Sequence, residues 1–212
     1  MNLFQAPPDE ANLEAGGHGK GVAVAIVKQN KDDSGLARVR VNYPWHSEPS
    51  ESYWARIAAP MAGSDRGTYF LPEVGDEVLV AFERGDLRFP YVVGGLWNGR
   101  DQSPANNGDG NNDVRMIRTR KGHQLSFDDG SSGRVQLQLN DGKTLKIDDN
   151  GITLDDNNGT TLVINSKDGS LTITAAQSLT FKAPQISLEA TANLSIKAGG
   201  PVSVQGTPIS LN

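Results

Sequence analysis

Ser170-Leu171-Thr172-Ile173-Thr174-Ala175-Ala176-Gln177-Ser178-Leu179-Thr180-Phe181-Lys182-Ala183-Pro184-Gln185-Ile186-Ser187-Leu188-Glu189 decides how the C-terminal half of this chain folds. Large apolar residues stand two apart, at Leu171/Ile173, Leu179/Phe181 and Ile186/Leu188, with small or polar residues between them. A period of two belongs to a strand with one face turned inward. Working outward, the same pairing recurs at Leu137/Leu139, Leu145/Ile147, Ile152/Leu154 and Leu162/Ile164 on one side, and at Leu194/Ile196, Val202/Val204 and Ile209/Leu211 on the other. The unit repeats about every eight residues and tightens toward the C terminus.

The connectors change along the repeat. Early ones are wide and acidic: Asp128-Asp129-Gly130, Asp148-Asp149-Asn150-Gly151 and Asp155-Asp156-Asn157-Asn158-Gly159. Later ones are short, as at Ala175-Ala176-Gln177, Ala183-Pro184-Gln185 and Ala198-Gly199-Gly200-Pro201, and from Gly169 onward the only ionisable side chains are Lys182, Glu189 and Lys197. A strand plus one corner covers only one face of a helical prism, whereas a single-chain β-helix spends roughly twenty residues or more on each coil. No longer super-period distinguishes successive corners, so the pattern predicts three identical chains that each supply one face per level and pair their backbones with one another.

Upstream, residues 19–98 hold five β-type runs: Gly21–Lys28, Leu36–Tyr43, Tyr53–Ala59, Glu77–Glu83 and Phe89–Trp97. Turn clusters such as Lys31-Asp32-Asp33-Ser34-Gly35 separate them. Five short strands suit a small closed barrel of the OB type, because closure removes exposed strand edges. Residues 1–18 read as an extended arm, residues 99–113 as a linker without a large apolar side chain, and residues 114–212 as a β-helical needle. The predicted fold is therefore all-β: an N-terminal OB-fold barrel followed by a C-terminal intertwined triple-stranded β-helix in a homotrimer.

Composition removes several function classes. Of 212 residues, 36% are hydrophobic, thin for one large core, and the net charge of −5 provides no field for nucleic acid. Residues 1–98 carry nine Lys and Arg against thirteen Asp and Glu, which disfavours a base-stacking role for Trp45, Tyr53, Trp54, Tyr69, Phe70, Tyr91 and Trp97. There is no cysteine, hence no disulfide and no thiolate metal site. No run approaches the roughly 20 apolar residues of a membrane span, and the first 21 residues lack the apolar core of a signal peptide, so synthesis in the cytoplasm is expected.

Three ordered blocks carry a resemblance. Ser34-Gly35-Leu36-Ala37-Arg38-Val39-Arg40-Val41, Trp54-Ala55-Arg56-Ile57-Ala58-Ala59-Pro60-Met61-Ala62-Gly63 and Gly67-Thr68-Tyr69-Phe70-Leu71-Pro72-Glu73-Val74-Gly75-Asp76-Glu77-Val78-Leu79-Val80 resemble the OB domain of the VgrG and phage baseplate assembly protein V family. Asp86-Leu87-Arg88-Phe89-Pro90-Tyr91-Val92-Val93-Gly94-Gly95-Leu96-Trp97-Asn98 continues it, and with Arg118–Asp129 and the repeats the resemblance covers about residues 19–212. It implies a non-enzymatic homotrimeric spike at the baseplate centre of a contractile tail or injection machine. The spike would be driven ahead of the tail tube and touch the target membrane transiently. Fewer than 20 residues stand before the barrel, where relatives carry a hub domain, which implies either a separate hub protein or a sequence that is a piece of a longer chain. No lysozyme domain fits in the linker. The resemblance also implies a PAAR-type tip protein on Ile209, Ser210, Leu211 and Asn212, above a needle core of Leu171, Ile173, Leu179, Phe181, Ile186, Leu188, Leu194, Ile196, Val202 and Val204.

Catalytic, metal and cofactor residues are not expected. His18, His46 and His123 are scattered and read as surface or turn histidines, and the chain lacks the His-x-His apex pair of some related needles. Asp109, Asn111 and Asp113 have the spacing of a calcium-loop start, but Val114 replaces the glycine at the sixth position and Arg120 the acid at the twelfth. The alternative function is a β-helical polysaccharide-active enzyme or glycan-binding module, which needs clustered carboxylates. Asp128/Asp129, Asp148/Asp149 and Asp155/Asp156 are adjacent and would point to opposite strand faces.

Overall fold

The computed structural model describes residues 21–46 and 51–210, so the expected arm, His18, Leu211 and Asn212 lie outside the described residues. The chain divides into two compact units, one up to Asn106 and one from Asn107, within the expected linker. Among the described residues the only helical element is a 3-10 turn at Glu83–Gly85.

The first unit contains β1 (Val22–Gln29), β2 (Arg40–Asn42), β3 (Arg56–Ile57), β4 (Ala62–Gly63), β5 (Arg66–Gly67), β6 (Glu77–Phe82) and β7 (Pro90–Gly95). Its main sheet runs β2-β1-β6-β7-β3, with β3 parallel to β7 and the other neighbours antiparallel. The ring closes where Val39 and Ala55 exchange backbone hydrogen bonds of 3.0 and 2.7 Å and Ser52 N donates to Val41 O. Register shifts at Val27/Gln29 and Leu79/Val80 bend the strands around the closure. The run expected at Leu36–Tyr43 begins as a strand only at Arg40, because Ala37 is left-handed (φ 53°) and breaks the extended backbone. Alternate residues fill the interior: Ala25, Val27, Val39, Val41, Ala55, Val78, Val80 and Val92 are buried, and Tyr43 closes one end with its hydroxyl donating to Leu87 O. Valines suit this core, since branched side chains pack on a curved pleated surface without excess volume.

The second unit is a meander of seven five-residue strands: β8 (Val114–Arg118), β9 (Gln124–Asp128), β10 (Arg134–Gln138), β11 (Thr144–Asp148), β12 (Gly151–Asp155), β13 (Thr161–Asn165) and β14 (Ser170–Thr174). Each pairs antiparallel with the next, in sequential order. The pairing expected between neighbouring chains is thus met within one chain as far as Thr174. Short reversals make this possible. β11 and β12 are joined by only Asp149 and Asn150, and β8–β9 and β10–β11 by five-residue connections that contain Gly122 and Gly142 at positive φ. From Ala175 to Ser210 no residue belongs to a strand of this chain.

Candidate assembly surface

Cross-strand register turns the period-two pattern into a surface. Phe127, Val135, Ile147, Ile152, Ile164 and Leu171 stand opposite one another in sequence, headed by Arg115. Beside them run Ile117, Leu125, Leu137, Leu145, Leu154, Leu162 and Ile173. Two unbroken apolar columns therefore occupy one face of the meander, while the other face shows Ser126, Gln136, Lys146, Thr153 and Thr172 with only Met116 and Val163 as large apolar members. Among the described residues, every fully buried hydrophobic side chain belongs to the first unit. The columns remain half-exposed or exposed, and contiguous apolar area of this extent marks a contact surface.

The sequence pattern missed part of this face. Ile117 stands alone beside Arg115, and the Leu125/Phe127 pair belongs to the same columns. In β10 the pair is Val135/Leu137, and Leu139 extends the row into the turn, where its N–H donates to Lys143 O at 2.9 Å. Both pairs carry the same two-residue spacing as Leu179/Phe181 and Val202/Val204, so the signal was present in the sequence.

The turns beside the columns account for the acidic connectors. Asp128, Asp148 and Asp155 each accept a hydrogen bond from the backbone N–H two residues on, and Asp156 accepts from both Asn158 and Thr160. The Lys146 ammonium and the Asn150 N–H hold the Asp148 carboxyl below the usual carboxylate range. Two backbone donors do the same for Asp156. A glycosidase acid needs the opposite displacement. Asp109 is likewise engaged by Asn111, and His123 Nδ1 accepts from Asn140 N at 3.2 Å, a turn histidine. His46 packs edge-on against Trp45. Among the described residues no group of three His, Cys, Asp or Glu is placed to hold a metal ion, and no helix is long and apolar enough to cross a membrane.

Of the expected needle-core residues, the structure brings Leu171 and Ile173 onto the columns and leaves the other eight outside any strand of this chain. All ten are exposed, from 42% at Ile173 to 71% at Leu188. Ile209 and Ser210 are exposed as well. On the barrel, Tyr53 stacks on Phe89 at 5.4 Å, and Trp54 lies under the guanidinium groups of Arg38 and Arg40. Arg38 pairs with Asp32 and Arg40 with Glu51, so these aromatics do not form a basic platform.

Residues 23–97, the closed barrel, match the type VI secretion system/phage-baseplate injector OB domain. Relatives align over a longer stretch. The type VI secretion system spike protein VgrG3 of Vibrio cholerae is 33% identical over 112 residues, covering 49% of this chain and 11% of that protein. VgrG4b of Pseudomonas aeruginosa, also a type VI secretion system spike protein, is 36% identical over 110 residues, or 42% of this chain and 14% of that protein. The actin cross-linking toxin VgrG1 of Vibrio cholerae is 29% identical over 110 residues, 48% of this chain and 10% of that protein. The chain thus spans only a small part of the length of these relatives. Residues 23–97, with their closed-barrel topology, are therefore an injector OB domain of the type VI secretion system/phage-baseplate kind.

Proposed function

We propose that this chain is the structural, non-catalytic spike at the baseplate centre of a contractile tail or injection machine, acting as a homotrimer. The observation that carries the proposal is the pair of apolar columns, Phe127 to Leu171 and Ile117 to Ile173, which no other part of the second unit covers. Three copies arranged as a triangular prism would turn each such face inward. At about 25 cal/mol per Å² of apolar surface removed from water, that burial is the main force available to a unit without a core of its own. The membership of the barrel in the injector OB family supports the baseplate setting.

In this reading the chain is made in the cytoplasm and built into a virion baseplate or injection particle. A separate hub protein meets the barrel, a PAAR-type tip sits over the exposed Ile209 and Ser210, and the tail tube follows behind. The columns supply rigidity under axial load. Light scattering on the purified full chain tests the proposal: it should give a particle of three 22.6 kDa chains with no turnover of peptidoglycan or polysaccharide. A monomer that degrades glycan would refute it in favour of a β-helical enzyme.

A further inference from the structure

Resting on the homotrimer proposed above, we infer that neighbouring barrels grip one another: the β4–β5 ribbon of one copy lies on the outer face of β1, β6 and β7 of the next, with Tyr69 and Phe70 seated around Gly94. Register defines that face. Ala23, Ala25, Val78, Val80 and Val92 turn toward the barrel core, so the alternate positions turn outward. Outside, Val22, Ala81, Tyr91 and Arg56 form one row across β1, β6, β7 and β3, Val24, Leu79 and Gly94 form the next, and Ile26 with Glu77 a third. Val22, Val24 and Val93 are exposed there, a contiguous apolar area on the outside of a barrel. Gly94 lies near its centre. Its φ lies outside the left-handed region and a Cβ would meet nothing within 4 Å, so nothing in its own chain calls for a glycine. The neighbouring bulge does not require one either, because glycine serves a bulge through positive φ. A strand glycine with no local reason marks close approach by a group from outside.

The occupant is a second copy because the same unit carries a matching surface elsewhere. β4 and β5 form a two-stranded sheet of their own, apart from the five-stranded sheet, and a lone ribbon of this kind is marginal in water. Met61, Tyr69 and Phe70 flank its base and are each at least half exposed. Gly67 keeps the ribbon tight, since a Cβ there would stand 2.7 Å from Met61 O. Aromatic rings cover a bare strand glycine well, which suits Tyr69 and Phe70 to Gly94. The charges fit too. Asp65 and Arg66 at the tip of the ribbon form no ion pair among the described residues, and the face is bordered by Arg56 and Glu77. Ribbon and face are different patches of one unit, so the contact runs head to tail, and repeated around three copies it closes a ring. The columns join copies through the second unit, and this contact joins them independently through the first.

Gly94→Val tests the contact on the full chain, because valine suits a strand and has room on this barrel, yet it fills the seat. Native mass, circular dichroism and hydroxyl-radical oxidation of Met61, Tyr69 and Phe70 are read on the variant and on the unsubstituted protein. The variant should keep the mass of three chains and its β signal while the three side chains oxidise severalfold faster. A trimeric variant with unchanged oxidation overturns the inference and leaves the homotrimer standing. A single-chain mass for the unsubstituted protein overturns the homotrimer itself. Should Gly94→Val fail to fold, Phe70→Cys/Val93→Cys decides, since it alters only exposed side chains of a cysteine-free sequence. Its oxidation should give covalent trimers on non-reducing denaturing electrophoresis. A native trimer that runs there as single chains overturns the contact.

Discussion

At the scale of single residues, two contacts hold loops that the fold depends on. Asp32 is nearly enclosed, with Arg38 Nε donating to Oδ2 at 2.6 Å and the Ser34 N–H donating to Oδ1 at 3.0 Å. The Arg38 hydrogen bond, more than any other influence, brings its pKa down from 3.8 to about 2. A carboxylate depressed in the folded state stabilises the fold above its unfolded value and loses that contribution as pH falls toward the folded one. Asp32→Asn should therefore lower the melting temperature of the barrel at neutral pH, and the gap from the unsubstituted protein should close between about pH 4 and pH 2. Tryptophan fluorescence reads this selectively, since Trp45, Trp54 and Trp97 all lie in the first unit. The second contact is at Gly151 (φ 136°), where a Cβ would stand 1.9 Å from Ile164 O. Gly151→Ala should destabilise the second unit by roughly 2 kcal/mol or more, from backbone strain and forced separation of β12 and β13, and thermal denaturation followed by circular dichroism would register it. The Lys31–Gly35 cluster was readable as a turn from its composition. The Arg38 clasp was not, because a six-residue separation within a loop carries no period.

At the scale of elements, alternation alone revealed that strands were present and which side of each was apolar. It could not reveal the pairing partner. The pairs Leu145/Ile147 and Ile186/Leu188 look alike in sequence, yet the first lies in a self-paired sheet and the second on unpaired backbone. The difference lies in the connectors, through which residues can reverse the chain. Barrel strands read from composition came out too long where a left-handed residue or a bridge of one residue pair limits the ladder, as at Ala37 and at Val39 with Ala55. Face assignment can be checked on neighbours in β12. Ile152 lies in a column between Ile147 and Ile164, and Thr153 on the opposite face opposes Lys146 and Val163. Ile152→Asp would bring three carboxylates into the shared interior, where desolvation and mutual repulsion add, and assembly should be lost. Thr153→Asp should change stability by no more than about 0.5 kcal/mol, typical of a surface site. Size-exclusion profiles of the two variants distinguish them, and equal behaviour would mean the columns face solvent.

At the scale of the whole molecule, the two units solve the same problem differently. Among the described residues, the barrel closes on itself around nine buried apolar side chains, and the meander has an apolar face with no fully buried hydrophobic side chain. The low hydrophobic content and the change of texture after residue 113 made this division legible in the sequence. The proposed three copies rest on elimination, because a single chain's pattern describes one face and not how many faces meet. If the columns are covered by other copies, folding of the second unit and association are one process, and no folded monomer accumulates. Diluting the purified full chain from micromolar to low nanomolar concentration, with single-particle mass and circular dichroism read on the same samples, tests this most directly. The account predicts that three-chain particles persist and that any loss of mass coincides with loss of β signal, whereas folded monomers appearing on dilution would contradict it.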